Sequence, residues 1–229
     1  MSLTESDHKK GEGDLEFIDF HTHNLTGEAY PLTIASYSLP KIGRCPKGQY
    51  YSVGLHPWDT ARLDAYRVVD QALPHYLESE HCLALGEVGI DRLRGASMAV
   101  QEELLSVQLK IGESLRKPVI VHCVRAWSEL LSVFRKQRFT YNKAIHGYRG
   151  SLPVLDRLVE EGWYISAGFY TPPELITHIP LNQLLLESDD TNLPITALYE
   201  QTALLLKLST DELQAIVKGN IQRFIRLGE

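Results

Sequence analysis

Cysteine is scarce in this chain of 229 residues, which holds only Cys45, Cys82 and Cys123. An odd number at such long spacings fits neither a disulfide framework nor a zinc motif. Residues 1–14 are polar and charged and lack the apolar stretch of a secretory signal. We therefore expect free thiols and a reducing, cytoplasmic location.

Long hydrophobic runs and an excess of basic charge are also missing. The longest apolar runs, such as Pro118–Val121 and Ala203–Leu206, are far shorter than the roughly 20 residues that span a bilayer. Lys and Arg number 23 against 29 Asp and Glu, which gives a net charge of −6. A protein that grips nucleic acid over a long surface usually carries a basic stripe. Any polyanion must therefore be held locally, by metal ions or a few arginines, and the sequence indicates neither a membrane nor an obligatory protein partner.

Apolar, β-rich runs alternate with segments of helical periodicity along the chain. The eight strand candidates are Glu16–Phe20, Tyr30–Leu39, Tyr50–Leu55, Cys82–Glu87, Pro118–His122, Lys143–His146, Trp163–Ala167 and Gln183–Leu186. The helix candidates are Val100–Leu115, Ala126–Phe134, Leu152–Glu161, Pro172–His178, Ile195–Leu208 and Thr210–Leu227. We expect residues 1–15 to be a flexible leader and residues 16–229 to form one domain.

The alternation predicts an α/β fold with a parallel sheet and crossover helices. Eight strands in a chain of this length favour a TIM-like (β/α)8 barrel. Residues 24–49 contain no helical pattern. We therefore expect the first crossover to be shortened or replaced by a hairpin that joins the second and third strands.

Side chains that commonly bind metals stand at the carboxyl ends of six strand candidates. In an α/β barrel this end is the catalytic face, because the loops there converge on one mouth. The residues at these positions are His21, His23, His56, Glu87, His122, His146 and Asp189.

The pair His21 and His23 can place both imidazoles on one face of a strand, because residues i and i+2 point the same way. Taken alone, the pair is equally consistent with a polar strand end. Beside Glu87, His122, His146 and Asp189, it favours divalent metal binding, since imidazole and carboxylate are common metal ligands. Six such ligands exceed one tetrahedral ion, so a two-metal site bridged by a carboxylate fits better.

Six fragments appear in a specific order: FIDFHTH, VGLHPWD, ALGEVGID, KPVIVHC, AIHG and LLLESDD. This order resembles the TatD family of metal-dependent deoxyribonucleases, which belongs to the amidohydrolase-like barrel superfamily. The resemblance runs from about Phe17 to Phe224 and includes a terminal GNIQRF.

The resemblance implies hydrolysis of phosphodiester bonds in DNA, and we expect an exonuclease that trims single-stranded ends. It implies that His21, His23 and Asp189 bind one metal ion, that His122 and His146 bind a second, and that Glu87 bridges the two. Asp189 and Glu87 are then the catalytic residues, with Asp189 accepting the proton of the attacking water. The sequence leaves the identity of the two divalent ions open among magnesium, manganese, zinc and nickel.

Substrate contacts are less well defined, because the chain departs from the family pattern at several places. The family's H-[SC]-R-D-A reads HCVRA here, which displaces Arg125 by one position. The family's HCFSG reads HGYRG, which puts Arg149 beside the expected second metal, where it clamps phosphate or forms a surface salt bridge. His56 is expected either to contact phosphate or a metal ligand, or to be a structural histidine. The shortened stretch before His56 is expected to alter substrate access.

Four further residues near the expected site are assigned more ordinary roles. We expect Asp91 to contact a metal ligand or to form an ion pair. Cys123 follows a ligand along its strand, so its side chain should pack in the core and not act as a nucleophile. Packing is also favoured for Trp58 and Trp127, with stacking on a base as the alternative.

Two other functions are compatible with the same residues. One is a small-molecule metallohydrolase that cleaves an amide, lactone or phosphate ester, because a barrel mouth serves either chemistry. The other is a metal-holding scaffold without activity, which no residue supports. The phosphodiesterase hypothesis is favoured by the complete ligand set.

Overall fold

The computed structural model describes residues 17–24, 32–39 and 48–225, and its strands and helices alternate along the chain. The strands are β1 (Ile18–Thr22), β2 (Leu32–Ser38), β3 (Tyr51–Gly54), β4 (Cys82–Asp91), β5 (Val119–Val124), β6 (Lys143–Ile145), β7 (Tyr164–Ala167) and β8 (Leu184–Leu186). The helices are α1 (Ala65–Leu77), α2 (Met98–Ser114), α3 (Trp127–Gln137), α4 (Leu152–Glu160), α5 (Pro173–Ile176), α6 (Ile195–Leu206) and α7 (Thr210–Ile225).

The eight strands pair in sequence order, and every pairing is parallel. A parallel bridge between Thr22 and Asp189 brings the end of β1 against the chain that follows β8. There the His23 amide donates to the Asp189 carbonyl at 2.9 Å, and the Asp189 amide donates to the His21 carbonyl at 2.9 Å. The sheet therefore nearly closes on itself, and the TIM-like barrel expected from the sequence is confirmed.

One detail of the expected topology is wrong. β2 is parallel to both of its neighbours, with Ala35 opposite Tyr51 in β3, so no hairpin joins the second and third strands. The alternative of a shortened first crossover holds, because only residues 23–31 separate β1 from β2. A hairpin turn reverses the chain, whereas both of these strands must run in the direction of the barrel.

The strands are buried on both faces, as a barrel wall covered by helices requires. All residues of β1, β3 and β8 are buried. Helix α7 covers β1 and β8: the Phe224 ring packs edge-on against Phe20, with centroids 5.1 Å apart. The Asn220 side chain also donates to the carbonyls of Leu181 and Leu184, each at 2.7 Å. These contacts fix β8 against its outer helix.

Helix α1 was not among the helix candidates, although its buried residues follow a helical period. Ala65, Val69, Leu73 and Leu77 recur every four residues and face the barrel. Pro74 lies inside the helix and obscures the pattern in the sequence. The expected leader and Cys45 lie outside the described residues. Within the described part of the chain, no helix is both long and apolar enough to cross a membrane.

Candidate metal centre

The carboxyl ends of the strands bring the predicted site residues together at one end of the barrel. His21, Glu87 and His122 lie within β1, β4 and β5, and the remaining members follow shortly after their strands. Glu87 lies at the centre of the cluster and is 3% exposed. Its Oε1 is 3.0 Å from His56 Nε2, 2.8 Å from His122 Nδ1 and 2.8 Å from His146 Nε2. Its Oε2 is 3.2 Å from His23 Nε2 and 3.4 Å from His21 Nε2.

An irregularity in β4 accounts for this placement of Glu87. The pairing of β4 with β5 shifts between Leu85 and Val88, as a β-bulge does, and bulges re-aim side chains near active sites. Two residues later, Gly89 pairs with His122, and a Cβ at Gly89 would collide with the His122 carbonyl. Glycine therefore permits the close approach that sets Glu87 beside His122.

Two ring nitrogens lie close to one oxygen of Glu87, and all three atoms can act as metal ligands. Glu87 Oε1, His122 Nδ1 and His146 Nε2 form a triangle with sides of 2.8, 2.8 and 3.0 Å. A cation bonded at about 2.0–2.1 Å to such atoms holds them roughly 2.8–3.4 Å apart. Protons on both facing ring nitrogens would point at each other, so at least one nitrogen presents a lone pair. The donor set therefore fits a divalent metal ion, and we call these three residues the inner triad.

A second group of donors lies on the other oxygen of Glu87. His21 Nε2 and His23 Nε2 lie 4.0 and 3.7 Å from Asp189 Oδ1, and both face Glu87 Oε2. His21 is fully buried, and neither of its ring nitrogens makes a well-formed hydrogen bond with the described residues; Nε2 has only the 3.4 Å contact with Glu87 Oε2. Burial of an imidazole with so few polar contacts is costly unless it binds something else. These atoms fit a second ion, and we call His21, His23 and Asp189 the outer triad.

Asp189 is held in this position by a strained backbone. Its φ is 55°, which is unusual for a residue other than glycine. The preceding Ser188 donates from its amide to Asp19 at 2.9 Å and from its hydroxyl to the same carboxylate at 2.6 Å. These bonds fasten the chain after β8 to β1. Backbone strain of this kind is concentrated at functional sites.

His56 touches Glu87, but its hydrogen bonds argue against metal binding. Its Nδ1 accepts a hydrogen bond from the Trp58 amide at 3.1 Å, so a neutral ring carries its proton on Nε2. Nε2 therefore donates to Glu87 Oε1 and has no lone pair for a cation. Although His56, Glu87 and His122 lie close enough to be ligands, His56 acts as a hydrogen-bond donor.

Two carboxylates support the histidines of the inner triad. Asp91 Oδ2 lies 3.4 Å from His122 Nε2, and Glu187 Oε1 lies 3.3 Å from His146 Nδ1. A carboxylate on one ring nitrogen leaves the other nitrogen free to bind a metal. Asp91 thus contacts a ligand as the sequence suggested, whereas Glu187 was missed. Its position directly after β8 was the available signal, because the residues that follow a barrel strand meet at the mouth.

The charges of the metal-free cluster are strongly coupled. Burial alone would raise the pKa of Glu87, but His146 and His122 outweigh it and hold that pKa well below its ordinary value. Burial alone would lower the pKa of His146, but Glu87 and Glu187 raise it well above its ordinary value. Without a metal, His146 is therefore protonated, and a metal ion that binds to its Nε2 would displace a proton.

The residues predicted for substrate contact lie at different places. Arg149 is exposed at the mouth, with its guanidinium 5.8 Å from the centre of the Tyr170 ring. Arg125 is exposed, and its carbonyl accepts a hydrogen bond from Arg92 at 2.8 Å. Within the described chain no contact joins the Arg125 side chain to the cluster. Arg149 is therefore the better placed of the two arginines.

The remaining residues follow the expected packing with one exception. Trp127 is partly buried and packs against Tyr148, with ring centroids 5.3 Å apart. Cys123 packs against the core, and burial raises the pKa of its thiol to about 12, so it is not poised as a nucleophile. Trp58 is the exception: 49% exposed at the mouth, it donates from Nε1 to Asp91 at 2.6 Å.

The sequence matches a family model described as TatD related DNase over residues 32–226. This range leaves out β1 and therefore His21 and His23. A protein of Edwardsiella piscicida, described as the 3'-5' ssDNA/RNA exonuclease TatD, is 30% identical over 168 residues, or 69% of this chain and 64% of that protein. The uncharacterized metal-dependent hydrolase YjjV of Escherichia coli (strain K12) is 30% identical over 163 residues, or 66% of this chain and 62% of that protein. The chain thus spans less than two thirds of the length of these relatives.

A solved structure confirms the fold. The crystal structure of YjjV, a TatD homolog from Escherichia coli K12, superposes with a TM-score of 0.69 at 23% identity. The superposition covers 84% of this chain and 85% of that one.

Proposed function

Because the chain belongs to the TatD related DNase family of metal-dependent hydrolases, we propose that it hydrolyses phosphodiester bonds at the ends of single-stranded DNA with two divalent metal ions. The observation that carries this proposal is the position of Glu87, whose two oxygens face two separate groups of donor atoms. A single carboxylate between two such groups supports a two-metal site, because one oxygen is available to each ion. The relative described as an ssDNA/RNA exonuclease supports the choice of substrate.

The inner and outer triads would each hold one of the two ions. His122, His146 and Glu87 would hold the first, and the outer triad together with Glu87 would hold the second. When bound, two such cations polarise the phosphoryl oxygens and stabilise the charge that develops during hydrolysis. Neither triad supplies a side chain that selects strongly among magnesium, manganese, zinc and nickel.

Asp189 is the proposed base of the reaction. Its side chain is 20% exposed and lies at the edge of the cluster, whereas the Glu87 side chain is 4% exposed. A water molecule can therefore reach Asp189 from the mouth, and its carboxylate accepts the proton as the water attacks phosphorus. His56 serves the same reaction indirectly, by donating to Glu87 and orienting that carboxylate.

The test is hydrolysis of a 5'-labelled single-stranded oligonucleotide by protein that has been stripped of metal. We expect activity to return with magnesium, manganese or zinc and to be lost in His23→Ala and Asp189→Asn. His75→Ala and Asp211→Asn are matched controls, because both residues are exposed on helices and neither belongs to the two triads. The product ladder reports the direction of cleavage.

Two results would contradict the proposal. Retained hydrolysis in Asp189→Asn would remove the proposed base from the mechanism. Absence of nuclease activity, together with metal-dependent turnover of amide, lactone or phosphate ester substrates, would assign the chain to the small-molecule hydrolases instead.

A further inference from the structure

A small cleft opens beside the outer triad, between the loops that follow β6, β7 and β8. Gly147, Arg149, Gly168, Tyr170 and Asp189 contribute to its wall, so it reaches from the proposed base to the surface. Tyr170 is 63% exposed and presents its ring at the outer end of the cleft. The cleft therefore joins an exposed aromatic ring, a cation and the centre of the proposed chemistry.

Both side chains project from well-ordered turns. Two hydrogen bonds between Gly168 and Thr171 close the turn that carries Tyr170. The Gly168 amide donates to the Thr171 hydroxyl and the Thr171 amide donates to the Gly168 carbonyl, each at 3.0 Å. Arg149 follows Tyr148, whose ring is buried and whose hydroxyl donates to the Ser151 carbonyl at 2.7 Å. The backbone that carries the two side chains therefore loses little further conformational entropy when they bind a ligand.

The positive charge of Arg149 forms no salt bridge with any of the described residues. No carboxylate of the described residues lies within salt-bridge distance of its guanidinium, although Glu87, Glu187 and Asp189 make the neighbouring centre acidic. Its only described contact of note is the Tyr170 ring, 5.8 Å away. An arginine without an anion, beside an exposed aromatic ring, matches the needs of a phosphate attached to a base.

We propose that Arg149 and Tyr170 form a nucleotide subsite: a base of the substrate stacks on the Tyr170 ring, and an adjacent phosphate pairs with Arg149. This inference rests on the proposed phosphodiesterase function and adds a reason for a single-stranded substrate. A base can cover an aromatic ring only when its own face is not covered by a neighbouring base pair. The subsite therefore favours nucleotides whose bases are not stacked on both faces, which a single strand supplies more readily than the interior of a duplex.

The test compares intact oligonucleotides with oligonucleotides that lack one base. Single-stranded substrates are prepared with an abasic site at each position in turn and offered to wild type, Tyr170→Ala, Tyr170→Phe and Arg149→Gln. Tyr66→Ala is the matched control, because this tyrosine is 43% exposed but lies on α1 and bonds to Glu103. Circular dichroism checks that every variant is folded.

We expect Tyr170→Ala to lower kcat/KM for the intact strand roughly 5- to 100-fold, mainly through KM, whereas Tyr170→Phe retains most of it. Removal of the base at one position should lower kcat/KM for wild type by a similar factor and have no effect on Tyr170→Ala. Arg149→Gln should reduce the slope of log kcat/KM against log salt by about 0.7.

Two results separate failure of the subsite from failure of the function. If wild type cleaves the strands and Tyr170→Ala responds to every abasic position as wild type does, the subsite is wrong and the phosphodiesterase function stands. If wild type cleaves no oligonucleotide with any metal, both are overturned.

Discussion

Replacement of Glu187 by alanine should weaken the binding of one metal ion and leave the other unchanged. Glu187 is fully buried, and its Oε1 lies 3.3 Å from His146 Nδ1. Its other oxygen, Oε2, has no hydrogen-bond partner among the described residues. The carboxylate therefore acts on the site through His146, by holding a proton on Nδ1 and leaving Nε2 free.

The size of the effect follows from this contact. Loss of a carboxylate that orients a metal-binding histidine lowers metal affinity about 10- to 100-fold, or roughly 1.4–2.7 kcal/mol. Because Glu187 is shielded from solvent, its charge is not screened, and we expect Glu187→Ala near the upper end of this range. Glu187→Gln keeps an oxygen that can accept a hydrogen bond from His146 Nδ1, so its loss of metal affinity should lie near the lower end of this range.

Isothermal titration of metal-stripped protein with Mn²⁺ measures both binding steps. We expect the step that involves His146 to weaken in Glu187→Ala and the step that involves His21 and His23 to keep its affinity. Glu113→Gln is the control, because among the described residues that glutamate accepts hydrogen bonds only from Thr140, at the surface. A thermal melt checks the fold. Unchanged affinity at both steps, or an equal loss at both, would refute the orienting role.

Three other predictions test separate parts of the structure. His56→Ala should bind as many metal ions as wild type, as measured by elemental analysis, because Nε2 of His56 donates a hydrogen bond to Glu87 and is not a metal ligand. The variant should turn over substrate more slowly. Loss of one ion would show that His56 is a ligand. Gly89→Ala should lower the free energy of unfolding by more than about 3 kcal/mol in a urea titration, because the added Cβ meets the His122 carbonyl, and wild-type stability would contradict the close approach of β4 to β5. Burial lowers the pKa of Lys143 from its ordinary 10.5, so its ammonium destabilises the fold while it is charged. Lys143→Met should therefore have a higher free energy of unfolding than wild type at pH 7. This difference in stability should shrink as the pH rises above the lowered pKa, because Lys143 of the wild type then loses its charge. A difference that does not change with pH up to 10.5 would count against this explanation.

The barrel and the candidate ligands were predictable because their signals are local. Strands buried on both faces appear as short apolar runs, and in a barrel the residues after them must meet at one end. His21, His122 and Asp189 were placed by that rule alone. The family resemblance implied a central, bridging Glu87, but no local pattern did, since its position depends on a shift in register against β5.

The errors have equally specific causes. The hairpin was expected because residues 24–49 lack a helical period, but β2 is parallel to β1 and β3, and only residues 23–31 separate it from β1. Helix α1 was missed although Val69 and Leu73 have helical spacing, because Pro74 follows them. Glu187 was overlooked beside Asp189, since its partner His146 is 41 residues away in the chain.

We expect each of the two groups of donor atoms around Glu87 to bind a metal ion. Anomalous diffraction from crystals soaked in Mn²⁺ locates each ion independently of activity. The expected result is two peaks, one among Glu87, His122 and His146 and one among Glu87, His21, His23 and Asp189. Absence of a peak at both places, in crystals where Mn²⁺ binds elsewhere, would show that these atoms do not form a metal site.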